Sequence, residues 1–412
     1  MVLFLTFMYL FDFPIIKSLS FSYSSFFVAI VLFIKCIVNR NYNREVSVIL
    51  GAKYNRMIIN FLITLSIASI IVTIMNGAFD FTYVSCLAHQ IICLEIGMLL
   101  IALYKYKKIN ILNTFINCFF IQSTIQVLSF VSPAFLKVTD IFRTDQLINQ
   151  RQVSYTGFRG LAISATNFFG LAVAYTILFV VLAFYWNRWN ASITKKIIYI
   201  FFFLFGAFSA GRTAILGVVV WILCMSRNIS RKISKNTILK VGVPLIIGGG
   251  VVVAILGKLQ TNDTWNNFTT YLLQVFGGNG VKNFSINNSS SLSQLINDYY
   301  FRIDPVTFIL GDGKYTVDNG SYYMGTDAGY MRNVLYWGIF FTTLLFIYQY
   351  KFLIKNVKTK KQRSFIYIIF IVLMILEYKG QTVGFLLISQ SCLLLICNGL
   401  DELDAIEENM LA

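Results

Sequence analysis

Runs of about 20 apolar residues are long enough to cross the hydrocarbon core of a bilayer, and this chain repeats such runs almost from end to end. Twelve candidate spans fall at about 2–16, 20–38, 57–75, 84–104, 109–131, 160–185, 197–209, 213–226, 238–257, 331–350, 364–378 and 381–398. Inside a bilayer every backbone N–H and C=O must find its partner within the protein, which leaves helices or a closed barrel. Alternating polar and apolar strands are absent, so the barrel is removed. Charged residues make up 13% of the 412 residues, against about 25% in soluble globular domains. The expected fold is all-α: a polytopic membrane bundle of about twelve helices. The opening MVLFLTFMYLF has no basic stretch and no small-residue cleavage site, and reads as a retained first span rather than a signal peptide.

Basic residues orient this bundle. With the N-terminus in the cytoplasm, the loops within 35–56, 105–108, 188–196, 227–240 and 351–363 all lie inside, and together they hold 22 of the 34 lysines and arginines. That is the asymmetry expected of cytoplasmic loops. The net charge of +16 therefore records topology, and no nucleic acid partner is needed to explain it. Three regions follow: spans one to nine over 1–257, a large outer loop over 258–330, and the last three spans with an acidic tail over 331–412. The tail, DELDAIEEN (401–409), reads as a solvated end. None of the seven cysteines falls in the large loop or in the second outer loop, about 132–159, so neither is a disulfide scaffold. No CxxC, HExxH, P-loop or dinucleotide fingerprint occurs, and no metal or other cofactor is expected.

The 258–330 loop is the only long polar segment. It carries Arg302, six aspartates including Asp298, Asp304, Asp312 and Asp327, and glycine turns at GGNG (277–280) and GDG (311–313). A loop of this length is usually functional or disordered. Apolar residues at helical spacing in 265–276 and 291–303 predict short amphipathic helices across the outer mouth of the bundle. Tyr299, Tyr300, Tyr322, Tyr323 and Trp265 are candidates for stacking on sugar rings or for anchoring at the interface.

Three outer arginines stand apart from those that topology explains. Arg159 lies at the expected start of span six, Arg212 in the tight turn between spans seven and eight, and Arg332 at the start of span ten. Helix N-termini attract anions through unpaired N–H groups and the helix dipole. A guanidinium there adds a bidentate receptor for phosphate or carboxylate. Ser209 is a candidate N-cap for span eight, and Gly211 would let a phosphate approach the backbone. Any single outer arginine can also simply snorkel to lipid headgroups. A short turn between two spans gives Arg212 little reason of that kind.

These residues resemble a known family. SAGRTAILG (209–217) is similar to the Ser-Arg-Thr/Gly-Ala element of bacterial O-antigen polymerases and ligases, and GFRGLAISATNFFGLAVA (157–174) to their preceding arginine-glycine element. FRIDPVTFILGDG (301–313) and TDAGYMRNVLYWGIFF (326–341) resemble the end of their large periplasmic loop and the span after it. The resemblance covers about residues 140–350 and rests on the joint order of short motifs. It implies a membrane glycosyltransferase of the GT-C type at the periplasmic face of the bacterial inner membrane. Such enzymes join oligosaccharide repeat units carried on undecaprenyl pyrophosphate into O-antigen or capsular polysaccharide, a step in lipopolysaccharide or capsule biosynthesis. By motif position it assigns anion binding to Arg159 and Arg212. Asp327 matches an acidic family position near the end of the loop; Arg302 and Arg332 are further candidates for binding substrate. The implied partners are the lipid-linked oligosaccharide, membrane lipids, a chain-length regulator and the pathway's flippase.

Two alternatives stand beside this reading. The related ligases rely on a histidine in the large loop, and 258–330 contains none. A flippase for the same lipid-linked oligosaccharide would show inverted repeats and broken mid-membrane helices, which the four scattered prolines do not suggest. The base that takes the acceptor proton is left among Asp327, Asp312 and Asp298, or none at all. His89, the sole histidine, reads as a packed polar residue bonded to a neighbouring helix or as a functional group. Glu95, deeper in the same span, is expected to face the bundle.

Overall fold

The computed structural model describes residues 1–15, 23–153, 159–232, 295, 297–317, 320–384 and 386–403. Span nine, the expected helix 265–276, Trp265, GGNG and tail residues 404–409 lie outside them. The described elements are helices, with only two isolated β-bridges, Pro14–Tyr23 and Thr316–Tyr322. In chain order they are α1 (Val2–Phe11), α2 (Ser24–Val38), α3 (Arg40–Gly51), α4 (Lys53–Met75), α5 (Thr82–Lys107) and α6 (Ile111–Val131). The outer-loop helices α7 (Pro133–Thr139) and α8 (Asp145–Val153) follow, then α9 (Phe169–Tyr185), α10 (Ile193–Ala210) and α11 (Ile215–Lys232). The chain closes with α12 (Pro305–Leu310), α13 (Gly329–Ile354), α14 (Lys360–Glu377) and α15 (Leu387–Asn398).

Helices α4, α5, α6, α10 and α13 are long and apolar enough to cross a membrane; α2 and α3, bent by 117° at Asn39, make a sixth candidate if taken as one span. The outward face of α4 is apolar, with Ile63, Ile67, Ile71 and Ile74 all exposed. A helix that turns a stripe of isoleucines outward is solvated by hydrocarbon rather than water. At the centre stands α9, buried at every residue except Phe169 and Phe184, as expected of a helix that is apolar all round. It packs against α6, α10, α11, α14 and α15. The contact with α11 is close because a side chain at Gly217 would meet the backbone of Thr176 at 2.6 Å.

Several expected spans are shorter than drawn, for an identifiable reason. Span six begins only at Phe169, and residues 159–168 are non-helical. Their backbone is held by side chains and by the C-terminal end of α1. Arg143 donates to the carbonyls of Leu161 and Ala162, Gln122 Nε2 donates to Ile163 O (3.0 Å), and Ala165 N donates to Phe11 O (2.9 Å). Span twelve loses 381–384 in the same way. Glu377 accepts from Thr382 N (2.6 Å) and Val383 N (2.8 Å), and Gln349 Oε1 accepts from Gly384 N (2.8 Å). Irregular backbone at membrane depth is tolerated when protein satisfies it this way.

Other expectations need correction. Residues 298–304 are not helical; the loop helix falls at Pro305–Leu310, opened by Asp304 as N-cap (Oδ2 to Val306 N, 3.0 Å) and proline at its first position. The GDG turn has a packing role. Helix α13 breaks at Gly338 (φ 73°), and Asp312 N and Gly313 N donate to Leu335 O (2.7 Å) and Tyr336 O (3.1 Å) just before the break. Nor does the acidic tail begin as a solvated end. Glu402 caps α6 through Ile111 N (2.6 Å) and Leu112 N (2.9 Å), and Asp401 pairs with Lys358 at 2.9 Å. Glu95 is exposed rather than turned inward. It lies two residues, about 200°, around α5 from buried Cys93.

Candidate functional site

The two non-helical segments, 159–168 and 378–384, meet at the same end of the bundle, opposite the lysine-rich loops. Gly380 packs against the Phe169 ring, which a side chain there would approach at 2.7 Å. Arg159 lies over the adjacent Phe168 ring, 4.9 Å from its centroid, and its Nε and Nη2 donate to Ala210 O (3.3 and 3.0 Å) at the C-terminus of α10. Arg159 is thus not at the start of α9: it caps α10, one residue before Gly211. Gly211 leaves room for it, since a Cβ there would sit 3.3 Å from Arg159 Nη2. Arg212 opens the short 3-10 turn Arg212–Ala214 that leads into α11, so its expected place at a helix start holds. Ser209 does not cap that helix; it is buried in α10, where its Oγ accepts from Gln126 Nε2 (2.9 Å) and donates to Gly206 O (3.2 Å).

Lys379 completes the cluster. It sits in the turn just after α14, and its ammonium makes no hydrogen bond or ion pair among the described residues. Burial first, then the guanidiniums of Arg212 and Arg159, push it below the ordinary lysine value, while Asp327 pulls it back up. Three cations and one carboxylate therefore share a field. Asp327 is exposed and within 3.5 Å of the Tyr299 hydroxyl. The sequence argument that a short turn between spans has no reason to hold a charge, applied to Arg212, applies equally to EYKGQ (377–381).

Arg332 belongs to a neighbouring pocket. It lies in the first turn of α13, 8% exposed, with its guanidinium carbon 4.1 Å from the Tyr315 ring centroid and 3.6 Å from that of Tyr322. Its Nε and Nη2 are buried without a hydrogen-bond partner among the described residues. A polar chain links the two pockets. Tyr315 Oη donates to Gln381 Oε1 (2.5 Å), Gln381 Nε2 to Asn333 Oδ1 (2.7 Å), and Asn333 Nδ2 to Glu377 Oε1 (2.9 Å). Glu377 in turn holds the segment that carries Lys379.

The remaining candidates are elsewhere. Arg302 is exposed and takes no part in a hydrogen bond or ion pair among the described residues. Asp298 is also exposed. Asp312 accepts from Thr307 Oγ1 (2.7 Å) and Tyr323 Oη (3.1 Å), which makes it part of the GDG anchor. Tyr300 stacks on Tyr378, centroids 4.5 Å apart. Arg159 itself is placed by the second outer loop, where buried Arg143 grips the carbonyls of Leu161 and Ala162.

No protein-family model matches the chain, and neither the curated proteins nor the solved structures contain a significantly similar one.

Proposed function

We propose that this chain is a membrane glycosyltransferase of the O-antigen polymerase type, working at the periplasmic face of the bacterial inner membrane. The observation that carries the reading is that Arg159 caps α10 next to Arg212 while the turn that carries Lys379 packs on Phe169 at the same end of the bundle. Its substrates would be two undecaprenyl-pyrophosphate-linked oligosaccharides. The acceptor hydroxyl attacks the anomeric carbon of the donor, the bond to pyrophosphate breaks, and lipid pyrophosphate leaves with the electron pair. Arg159, Arg212 and Lys379 stabilise the charge that grows on that leaving group. Asp327, at the edge of the cations, takes the proton of the attacking hydroxyl. Because the acceptor unit also carries pyrophosphate, a second anion-seeking group is needed, and Arg332 fills that role. The full twelve-span plan belongs to this proposal: α1, α9, α11, α14 and α15 would add five crossings to those of α2, α4, α5, α6, α10 and α13, and span nine, outside the described residues, would be the twelfth.

The test is the polymer ladder on a gel. Deleting the gene should remove the ladder and leave single repeat units on the surface lipid; loss of both would favour the flippase. Arg212→Ala and Lys379→Ala should each abolish the ladder at normal protein abundance. Arg212→Lys should restore part of it, because an ammonium keeps the charge but loses the planar fork. Lys195→Ala, at the opposite end, should leave it unchanged. A wild-type ladder from Arg212→Ala would sink the assignment.

A further inference from the structure

A second chemical cluster lies outside the cationic site, where α1 meets α5. His89, Cys93 and Gly97 follow one another at four-residue spacing and so share one face of α5. That face is turned to α1: a side chain at Gly97 would overlap Tyr9, so the missing Cβ lets the two helices close up. Asp12 ends α1 in the left-handed region (φ 40°), a conformation aspartate tolerates better than most residues. Its Oδ1 accepts from Ser25 N at 2.9 Å, which fixes the carboxylate plane. The other oxygen, Oδ2, is buried, has no hydrogen-bond partner among the described residues, and stands 3.7 Å from His89 Nε2. One nitrogen, one oxygen and one sulfur, from His89, Asp12 and Cys93, all lie within 4.8 Å of one another.

From this geometry we propose that Asp12, His89 and Cys93 form a binding site for a divalent metal ion of the zinc class. The donor set decides the class. Calcium and magnesium take oxygen ligands, whereas a mixed imidazole, carboxylate and thiolate set suits zinc and the other late first-row ions. On binding, the Cys93 thiol loses its proton to solvent and the metal–sulfur bond forms, with no change of oxidation state. One carboxylate and one thiolate then neutralise the divalent charge, so no net charge is left in the apolar contact between helices. Asp12 and Cys93 are buried, 4% and 2% exposed, while the His89 side chain is 45% exposed. Three protein ligands with one accessible side leave a fourth position for water or an exchangeable ligand. Ser25 supports the site through its N–H on Asp12 and its hydroxyl beside Cys93. This site is independent of the polymerase reading.

The test uses the full-length protein in detergent, reduced, stripped with chelator and titrated with Co²⁺. One equivalent should bring up tetrahedral d–d bands and a thiolate-to-cobalt charge-transfer band, both erased by Zn²⁺. Cys93→Ser should remove the charge-transfer band, and Cys86→Ser should keep it. His89→Ala, at a half-exposed position, should weaken binding by at least the roughly 10–100-fold that losing an outer-shell partner costs. No cobalt spectrum in the wild-type protein, or a spectrum unchanged by Cys93→Ser or His89→Ala, would overturn the site and leave Asp12 and His89 as a plain ion pair.

Discussion

Arg143 and Arg332 both lie at the loop end of the bundle, and both are more than nine-tenths buried, at 0% and 8% exposed. Their surroundings differ completely. All five N–H groups of Arg143 are taken: Nε by Ala162 O (2.9 Å), Nη1 by Thr139 Oγ1 and Asp140 Oδ1 (both 2.7 Å), Nη2 by Ser129 Oγ (3.3 Å) and Leu161 O. Asp140 also receives both Nη groups of Arg151, at 2.7 and 2.8 Å. Arg332 has two tyrosine rings against it, and its Nε and Nη2, three N–H groups in all, have no hydrogen-bond partner among the described residues. A buried guanidinium whose donors are all engaged is a building element. One whose donors are left over is costly to folding alone, which supports the anion-binding role proposed for Arg332.

The largest effect should follow from removing Arg143. Arg143→Met takes the donors away from the Leu161 and Ala162 carbonyls, each buried acceptor left unsatisfied costing about 1–3 kcal/mol, and leaves Asp140 with Arg151 alone. The protein should lose its monodisperse peak on size-exclusion chromatography, or melt well below the wild type. Arg143→Lys should not rescue it, since an ammonium has three donors rather than a five-donor fork. A normal melting curve for Arg143→Met would erase the distinction between the two arginines.

Removing Arg332 should have the opposite profile. Arg332→Met takes out a desolvated charge and keeps much of the packing against Tyr315 and Tyr322, so thermal stability should be unchanged or raised. The polymer ladder should vanish all the same. Arg332→Lys should recover little, because an ammonium packs less well against two rings than a planar guanidinium does. A protein that unfolds on losing Arg332 would show that its role is to hold the fold, like Arg143.

Much of this contrast lies beyond a reading of the sequence. Position along the chain is enough to place Arg212 and Arg332 near helix starts, because N-termini of apolar runs are local features. Arg143 could not be told from any other loop charge, since the two carbonyls it grips, of Leu161 and Ala162, come from 159–168, a stretch that reads as the start of a span. The polar residues of SATN (164–167) were the available sign that this stretch unwinds. The GDG turn read as loop punctuation because its partner, the break at Gly338, is hidden inside an apolar run. Asp12, His89 and Cys93 join two helices that are far apart in sequence, and no motif spacing connects Asp12 to the other two.

The smallest expected effect concerns the hairpin that covers Arg332. Asp80, between α4 and α5, holds it down: Oδ2 accepts from Tyr315 N (2.6 Å), Thr316 N (2.7 Å) and Thr316 Oγ1 (3.2 Å), and Oδ1 from Thr82 N (3.0 Å). Burial works against the charge of Asp80, but the hydrogen bonds from Thr316, Thr82 and Tyr315 outweigh it and hold the group below the usual carboxylate value of 3.8. A carboxylate lowered by folding stabilises the fold above its unfolded value and loses that contribution as pH falls through the folded one. The hairpin should therefore stay pinned at neutral and mildly acidic pH and loosen only below 3.8. Asp80→Asn should loosen it at neutral pH, because the amide keeps one acceptor oxygen and turns a donor toward other donors. Hydrogen–deuterium exchange of the Tyr315, Thr316 and Val317 amides checks this, with the Arg143 loop as the unaffected reference. The change should be modest, since Asp80 is partly exposed and solvent screens it. Equal exchange in Asp80→Asn and wild type at neutral pH would mean that Arg332 keeps its tyrosine cover without the Asp80 clasp.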